Sequence, residues 1–284
     1  MKQKVWFITG TSKGFGLEIA KAALANGDKV VATVRKRQRE FVDELDNNDR
    51  MLVVQMDVTN EQDIKMSVEK AIACFGRIDV LVNNAGYGLV AATEEASDQE
   101  VKAQFNTNVF GLLNVTRAIL PYMRHQQSGH IINISSLFGY AVSVPGFGIY
   151  GSTKFAVEGI TEGLAIEVKR LGISVTVVAP GIFRTGFASA ESYQSSKLIL
   201  DGYKETVGSV RDGISRLNGN QPGDPSKFAQ VIIQLAESKN PPLHLPVGKD
   251  AIAALRAKTE TIQKEVAAWE NISGNTDFEH ARSD

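Results

Sequence analysis

The sequence holds a single cysteine, Cys74, in 284 residues. An internal disulfide and a cysteine-built metal cluster are thereby excluded, and a reducing compartment is the natural setting. Its four histidines, His125, His130, His244 and His280, are scattered and suggest no metal site. No apolar run reaches the ~18 residues that a membrane span needs. Charge of either sign is in no excess, since 31 basic and 32 acidic side chains leave a net −1. The totals therefore give no electrostatic case for a nucleic acid or a membrane surface as partner. A first strand begins almost at once, without the layout of a signal peptide, so a soluble, cytoplasmic protein is expected. No internal repeat, low-complexity segment or linker divides residues 1–284, which read as one domain with a substantial core.

What is there centres on Lys4 to Asn26, KVWFITGTSKGFGLEIAKAALAN. The apolar run Val5–Ile8 reads as a buried strand. Gly10, Gly14 and Gly16 follow, and then Leu17, Ile19, Ala20, Ala23 and Leu24 mark the apolar face of a helix. A glycine turn between strand and helix can cradle a phosphate, because backbone N–H groups at the helix start lack partners and the dipole favours an anion. Gly14 and Gly16 would allow close approach to the main chain. No Gly-Lys-Ser/Thr follows, so the turn is not a nucleotide-triphosphate loop.

Down the chain, apolar strands at about 29–34, 51–56, 78–82, 130–135 and 173–178 alternate with helical stretches. The helices are expected at about 36–47, after Asn60, from the capping box Ser97–Glu100 to about Met123, and at 149–171. This rhythm predicts an α/β fold, a doubly wound parallel sheet of about seven strands covered on both faces. Ligands bind such sheets at the carboxyl ends of the strands. The polar residues that interrupt the pattern, Gly10, Asp57, Asn83, Ser136 and Pro180-Gly181, fall at those ends. Residues 186–221 break the rhythm and predict a lid or wall over a site, with short helices of its own. Together with Ala141–Phe147 they are expected to line a roomy apolar pocket, through Val142, Val144, Phe147, Phe183, Phe187 and Tyr193. A short seventh strand at 243–246 precedes a C-terminal helix and tail over 249–284.

Tyr150-Gly151-Ser152-Thr153-Lys154 puts a phenol and an ammonium four apart on one helix face. The ammonium is expected to lower the phenol pKa from its usual ~10 and make it a usable acid/base. Ser136 could hydrogen-bond a substrate oxygen, and Asn108 is an amide inside an otherwise apolar helix. A core tyrosine, a solvated lysine, a turn serine and a capping amide are the bland alternatives, taken singly.

Together these residues resemble the short-chain dehydrogenase/reductase family, over nearly the whole chain to about Gly248. The resemblance implies a Rossmann-type sheet, and a catalytic tetrad of Asn108, Ser136, Tyr150 and Lys154. Thr9-Gly10-Thr11-Ser12-Lys13-Gly14-Phe15-Gly16 looks like the family's cofactor motif. Asp57-Val58 matches a position at the adenine, and Asn83-Asn84-Ala85-Gly86 a segment beside the adenosine ribose. Pro180-Gly181 matches the nicotinamide-side turn, with Thr185 placed for the carboxamide. By the same resemblance Tyr150 exchanges a proton with the substrate oxygen, Ser136 orients that oxygen, and Lys154 holds the nicotinamide ribose. Asn108 would support a water leading to Lys154. The loop from Ser136 to Tyr150 is one residue longer than the common spacing, which leaves Ser135 as the alternative serine. A homodimer or homotetramer through the two long helices is implied as well.

Cofactor choice follows from charge. Sites that select NAD commonly end the second strand in an acid that binds the ribose hydroxyls. Here Val34 ends it, Arg35 follows, and Lys13 lies in the glycine motif. Two cations and no acid suit the 2′-phosphate of NADP, although Arg35 also belongs to a basic run that could be merely solvated. The expectation is an NADP-dependent carbonyl reductase without a metal, acting on a ketone or aldehyde. An alcohol or hydroxysteroid-type dehydrogenase working oxidatively, or a nucleotide-sensing protein on the same fold, are the alternatives.

Overall fold

The computed structural model describes residues 3–36, 49–185, 193–217 and 219–278. The helix expected at 36–47 lies almost wholly outside them, as do Phe187 and the tail beyond Phe278. Strands are β1 Val5–Ile8, β2 Lys29–Val34, β3 Met51–Gln55, β4 Val80–Asn83, β5 Gly88–Val90, β6 Gly129–Ile134, β7 Ile173–Pro180, β8 Tyr193–Ser195 and β9 His244–Val247. Helices are α1 Gly14–Ala25, α2 Glu61–Phe75, α3 Asp98–Phe105, α4 Leu112–Gln126, α5 Gly148–Val168, α6 Ser209–Leu217, α7 Pro225–Glu237 and α8 Lys249–Ser273.

Seven strands form one parallel sheet in the order β3-β2-β1-β4-β6-β7-β9. The direction of travel reverses between β1 and β4, and the crevice there is where such sheets take ligands. Successive strand residues serve opposite faces. Trp6 and Ile8 pack under α1 and α7 with Ile19, Ala23, Phe228 and Ile232. Val5 and Phe7 face α2, α4 and α5 with Ile64, Val115, Met123 and Leu164.

The helix ends follow their sequence signals. Asn60 Oδ1 accepts from Gln62 and Asp63 N–H at 2.9 and 3.2 Å, and Gly76 closes α2 in the left-handed region at φ 76°. Ser97 and Glu100 form the reciprocal capping box of α3. The long helix expected from Ser97 is not uniform, however. A π-helical turn, Asn106–Gly111, separates α3 from α4. Beyond the main sheet, β5 and β8 pair as a two-stranded parallel ribbon that the sequence reading missed, each strand being only three residues long.

A chain of buried amides and hydroxyls runs through the middle of the sheet. Asn83 Nδ2 donates to Thr116 Oγ1 and Asn133 Oδ1, both at 2.9 Å, and Asn133 Nδ2 donates to Thr161 Oγ1 at 2.9 Å. It joins α4, β4, β6 and α5 in directions that apolar packing alone does not specify. Asn133→Ala is expected to lower unfolding stability by roughly 2–4 kcal/mol, because the amide of Asn83 and the hydroxyl of Thr161 lose buried partners. Urea unfolding checks this, and a loss below about 0.5 kcal/mol would mean the chain holds nothing together.

Candidate active site

At the carboxyl end of β1 the chain turns through Gly10, Thr11, Ser12 and Lys13 into α1. Thr9 Oγ1 accepts from the N–H groups of both Asn84 and Ala85 at 2.9 Å. In return Asn84 Nδ2 donates to the carbonyls of Thr9 and Gly10 at 2.9 and 3.0 Å. Thr11 bonds to the carbonyl of Thr33 through its N–H and its hydroxyl, each at 3.0 Å. The turn is thus fastened to β2 on one side and to the end of β4 on the other.

Two of the three glycines have roles different from one another. Gly14 sits at φ +61°, and a Cβ there would come within 2.9 Å of the Thr185 carbonyl oxygen. Gly16 was expected to admit a phosphate. Its missing Cβ instead makes room for the turn itself, since one would lie 2.3 Å from the Gly10 carbonyl oxygen and 2.7 Å from Asn84 Nδ2. Lys13 takes the extended N-cap position of α1 with no side-chain capping bond, and the first turn carries no acid. The Lys13 side chain therefore does not cap the helix start, whose positive dipole end suits an anion. Phe15 points away from the crevice and stacks on Phe228, ring centroids 3.9 Å apart.

Tyr150 and Lys154 lie on the buried side of α5, and Ser136 follows β6. The Ser136 hydroxyl bonds to the Tyr150 phenol and accepts from Phe138 N–H at 3.2 Å. Ser135 turns the other way, with its Oγ beside Gly139 and the Glu158 carboxylate. The longer loop therefore leaves Ser136 at the tyrosine. Lys154 Nζ donates to the Ile134 carbonyl at 2.9 Å and lies 5.8 Å from the Tyr150 ring centroid.

The electrostatics correct one expectation. Burial pushes the Tyr150 phenol up to about 12, against the pull of the Ser136 hydrogen bond. Burial also pulls Lys154 down to about 8, opposed by Glu158. Desolvation leads both shifts, and the ammonium–phenolate attraction that their spacing predicts does not govern either group. At neutral pH the phenol carries its proton.

Asn108 lies in the π turn. Its Oδ1 accepts from Tyr87 N–H at 3.1 Å, and its Nδ2 donates to the Tyr87 carbonyl at 2.9 Å and to Thr153 Oγ1 at 3.1 Å. It grips both main-chain groups of one residue in the segment after β4, Tyr87, immediately beyond Gly86. A Cβ on Gly86 would stand 3.0 Å from Asn108 Oδ1 and 3.8 Å from Lys154 Nζ. Sequence reasoning passed over Tyr87 and Thr153; the small polar residue at Thr153, on the buried face between Tyr150 and Lys154, was the available signal.

The remaining predicted residues ring the same end of the sheet. Val34 is buried and Arg35, just beyond β2, is exposed and acts electrostatically on the Tyr87 phenol. The Asp57 carboxylate holds its own turn, accepting from Thr59 N–H at 2.9 Å and Thr59 Oγ1 at 2.7 Å. Val58 is buried against Gly111, where a Cβ would come within 2.7 Å of it. Pro180 ends β7, and Gly181 leaves room for Asp250, which accepts from Ile182 N–H at 2.6 Å.

Of the expected pocket lining, Phe147 and Tyr193 gather near Tyr150 with Val90 and Val207, and Val144 joins them. Phe183 does not; it packs on Phe15 and Phe228. Val142 is exposed. Residues 193–217 are fastened to the body by the buried Glu95, which accepts from Leu200 N–H at 3.0 Å and pairs with Arg211. That pairing holds the Glu95 carboxyl down to about 2.

The model of the family described as short chain dehydrogenase matches residues 4–196. An oxidoreductase of Botryotinia fuckeliana is 39% identical over 272 residues, which cover 95% of this chain and 98% of the relative. A 3-ketodihydrosphingosine reductase of Bacteroides thetaiotaomicron is 38% identical, over 92% and 93% of the two chains. A crystal structure of a short-chain dehydrogenase from Streptomyces avermitilis superposes with a TM-score of 0.89 at 40% identity, covering 98% of this chain and all of that one. A short-chain dehydrogenase/reductase from Burkholderia phymatum, solved with NAD, gives 0.81 at 25% identity over 93% and 95% of the chains. A structure named ElxO with NADP bound gives 0.72 at 30% identity over 89% of this chain and all of that one. The chain belongs to the short-chain dehydrogenase/reductase family and is an oxidoreductase of that fold.

The buried phenol is open to direct titration. Ultraviolet difference spectra between the unmodified protein and Tyr150→Phe should show no phenolate from Tyr150 below about pH 10, the range of an ordinary tyrosine. A Tyr150 phenolate at pH 8 would mean that Lys154, not burial, governs the site.

Proposed function

We propose that this short-chain dehydrogenase/reductase reduces an aldehyde or ketone to the alcohol with NADPH. The observation that carries the reading is the buried Tyr150 phenol, protonated at neutral pH and bonded to Ser136, with Lys154 beneath its ring. A group that holds a proton until a developing alkoxide takes it is suited to reduction. The Bacteroides relative, a reductase by name, supports the same direction.

The residues fit a dinucleotide. The start of α1 with Gly14 would take the pyrophosphate, and Thr11, Ser12, Lys13, Phe15 and Gly16 shape that turn. Asp57, Val58, Asn84, Ala85 and Gly86 would border the adenosine side, Pro180, Gly181 and Thr185 the nicotinamide side, and Gly10 belongs with the glycine turn. When bound, the reduced nicotinamide supplies a hydride to the carbonyl carbon. Ser136 donates a hydrogen bond to the carbonyl oxygen and so fixes its direction. Tyr150 gives its phenolic proton to that oxygen as the alcohol forms. Lys154 holds the ribose and, as an ammonium next to the ring, eases the charge left on the phenolate. Asn108 is a positioning residue, keeping the Tyr87 main chain and Thr153 in place beside Lys154.

The neighbours were solved with NAD in one case and NADP in another, so the choice here turns on this chain's own residues. Arg35 and Lys13 favour the 2′-phosphate, which carries roughly −1.5 to −2 at pH 7. Residues 193–217 wall the substrate side, with Tyr193 and Val207 near Tyr150. Exposed apolar side chains on the long helices, Phe155 and Ile166 of α5 and Phe110 of the π turn, support pairing of that face with a second copy.

Tyr150→Phe should keep NADPH binding and lower turnover of a ketone panel by at least ~100-fold, the lower end for general acid catalysis. Near-normal turnover would overturn the assignment of the acid. Arg35→Ala should weaken NADPH binding by roughly tenfold to a hundredfold, the worth of a charge-assisted hydrogen bond, and leave NADH nearly unchanged. Equal binding of NADH and NADPH by the unmodified protein at low salt would refute the charge reasoning.

A further inference from the structure

Helix α8 leaves the body of the protein soon after it begins. Ala251 is its only buried residue among those described, and Ala254 and Leu255 are half-buried. From Arg256 to Ser273 every residue is exposed, about 27 Å of helix with no partner among the described residues. An isolated helix of that length is marginal in water, and Thr259, Thr261, Ile262, Val266 and Ile272 are β-branched. Its sequence is nonetheless patterned. Ile252, Leu255, Thr259, Ile262, Val266 and Trp269 are spaced alternately three and four apart, the seam of a two-helix coiled coil. The Thr259 hydroxyl is satisfied by the Leu255 carbonyl at 2.9 Å, so a polar residue in this seam carries no unmet hydrogen bond. Trp269 is 62% exposed.

We infer that α8 pairs antiparallel with the same helix of a second copy of this chain. Aligned about a two-fold axis near residues 260 and 261, Ile252 lies opposite Trp269, Leu255 opposite Val266, and Thr259 opposite Ile262. Every seam position then meets a seam position. The flanking charges select this direction. In that alignment Lys258 faces Glu265 of the second copy and Lys249 faces Glu270, each pair occurring twice by symmetry. Arg256 faces the neutral Gln263. All these flanking residues are exposed. A parallel, in-register pair would instead set Glu265 against Glu270 on both sides, two repulsions with no compensating attraction. Glu260 and Lys264 pair with each other at 2.7 Å on the outward face and take no part. The helix as a whole has four basic and four acidic side chains. That balance favours a matching helix over an anionic membrane surface, which calls for a basic polar face.

Mass measurement of the full-length chain by light scattering after gel filtration tests the pairing. Val266→Glu should halve the mass of the assembly while circular dichroism and thermal unfolding of the body stay unchanged. Lys258→Glu and Glu265→Lys should each weaken association by about tenfold, since each replaces two attractions by two repulsions, and the double variant should restore it. An unchanged mass for Val266→Glu would refute the interface. Tighter association on Glu265→Lys would mean the helices run parallel. Co-sedimentation of the unmodified protein with phosphatidylglycerol vesicles, lost in Val266→Glu without a change of mass, would assign the face to a membrane instead.

Discussion

The contact on which the rest of the site depends is the meeting of the backbone at Gly10 and Gly16 with the side-chain amide of Asn84. The turn after β1 curls so closely onto α1 that no side chain fits at Gly16. The Asn84 amide, arriving from the end of β4, closes the remaining space by donating to the carbonyls of Thr9 and Gly10. Thr9 answers with its hydroxyl, taking two N–H groups of the β4 end. Because β1 and β4 are the strands between which the sheet order reverses, this knot fixes the width of the crevice from which ligands are reached. The start of α1 is aimed by it, and so is the Gly86–Tyr87 segment that runs on to Asn108.

Most of this architecture was legible in the sequence, and the reason is that buried parallel strands must be continuously apolar. The strands of the main sheet stand out by composition, and their polar endings mark the ligand side. Tyr150 and Lys154 drew attention because a phenol and an ammonium four apart in an apolar helix need an explanation, and the structure brings Ser136 to the same phenol. Less visible were features that arise from distance rather than pattern. Three-residue strands such as β5 and β8 give no periodicity to detect. The role of Gly16 depends on where Gly10 and Asn84 fall in space. Phe183 was expected in the apolar lining of the substrate pocket, but its ring finds Phe15 and Phe228.

The direction of the tyrosine shift was the clearest mismatch. Spacing along a helix reports which charges are neighbours, and says nothing of how much water surrounds them. Tyr150 and Lys154 are both buried, and loss of hydration acts on each charged form separately. One phenol is thereby kept as an acid, and one amine is brought nearer neutrality. Glu158, one turn further along the same face, is raised by burial in turn, with Ser135, Tyr140 and His244 around it. The face of α5 is thus a row of ionisable groups for which desolvation is the leading influence.

The π turn at Asn106–Gly111 has a consequence for how this chain can change. Such a turn inserts one extra residue into an otherwise regular helix. Each residue carries about 100° of rotation, so α3 and α4 are out of phase by that angle compared with one unbroken helix. The offset lets Asn108 reach Tyr87 and Thr153 while Leu112, Val115 and Ile119 keep their places in the core. Deleting any one residue of the turn would heal the helix and rotate one of these two sets away from its partners. Substitutions on the outer side of this stretch leave that phase intact, whereas a change in its length does not.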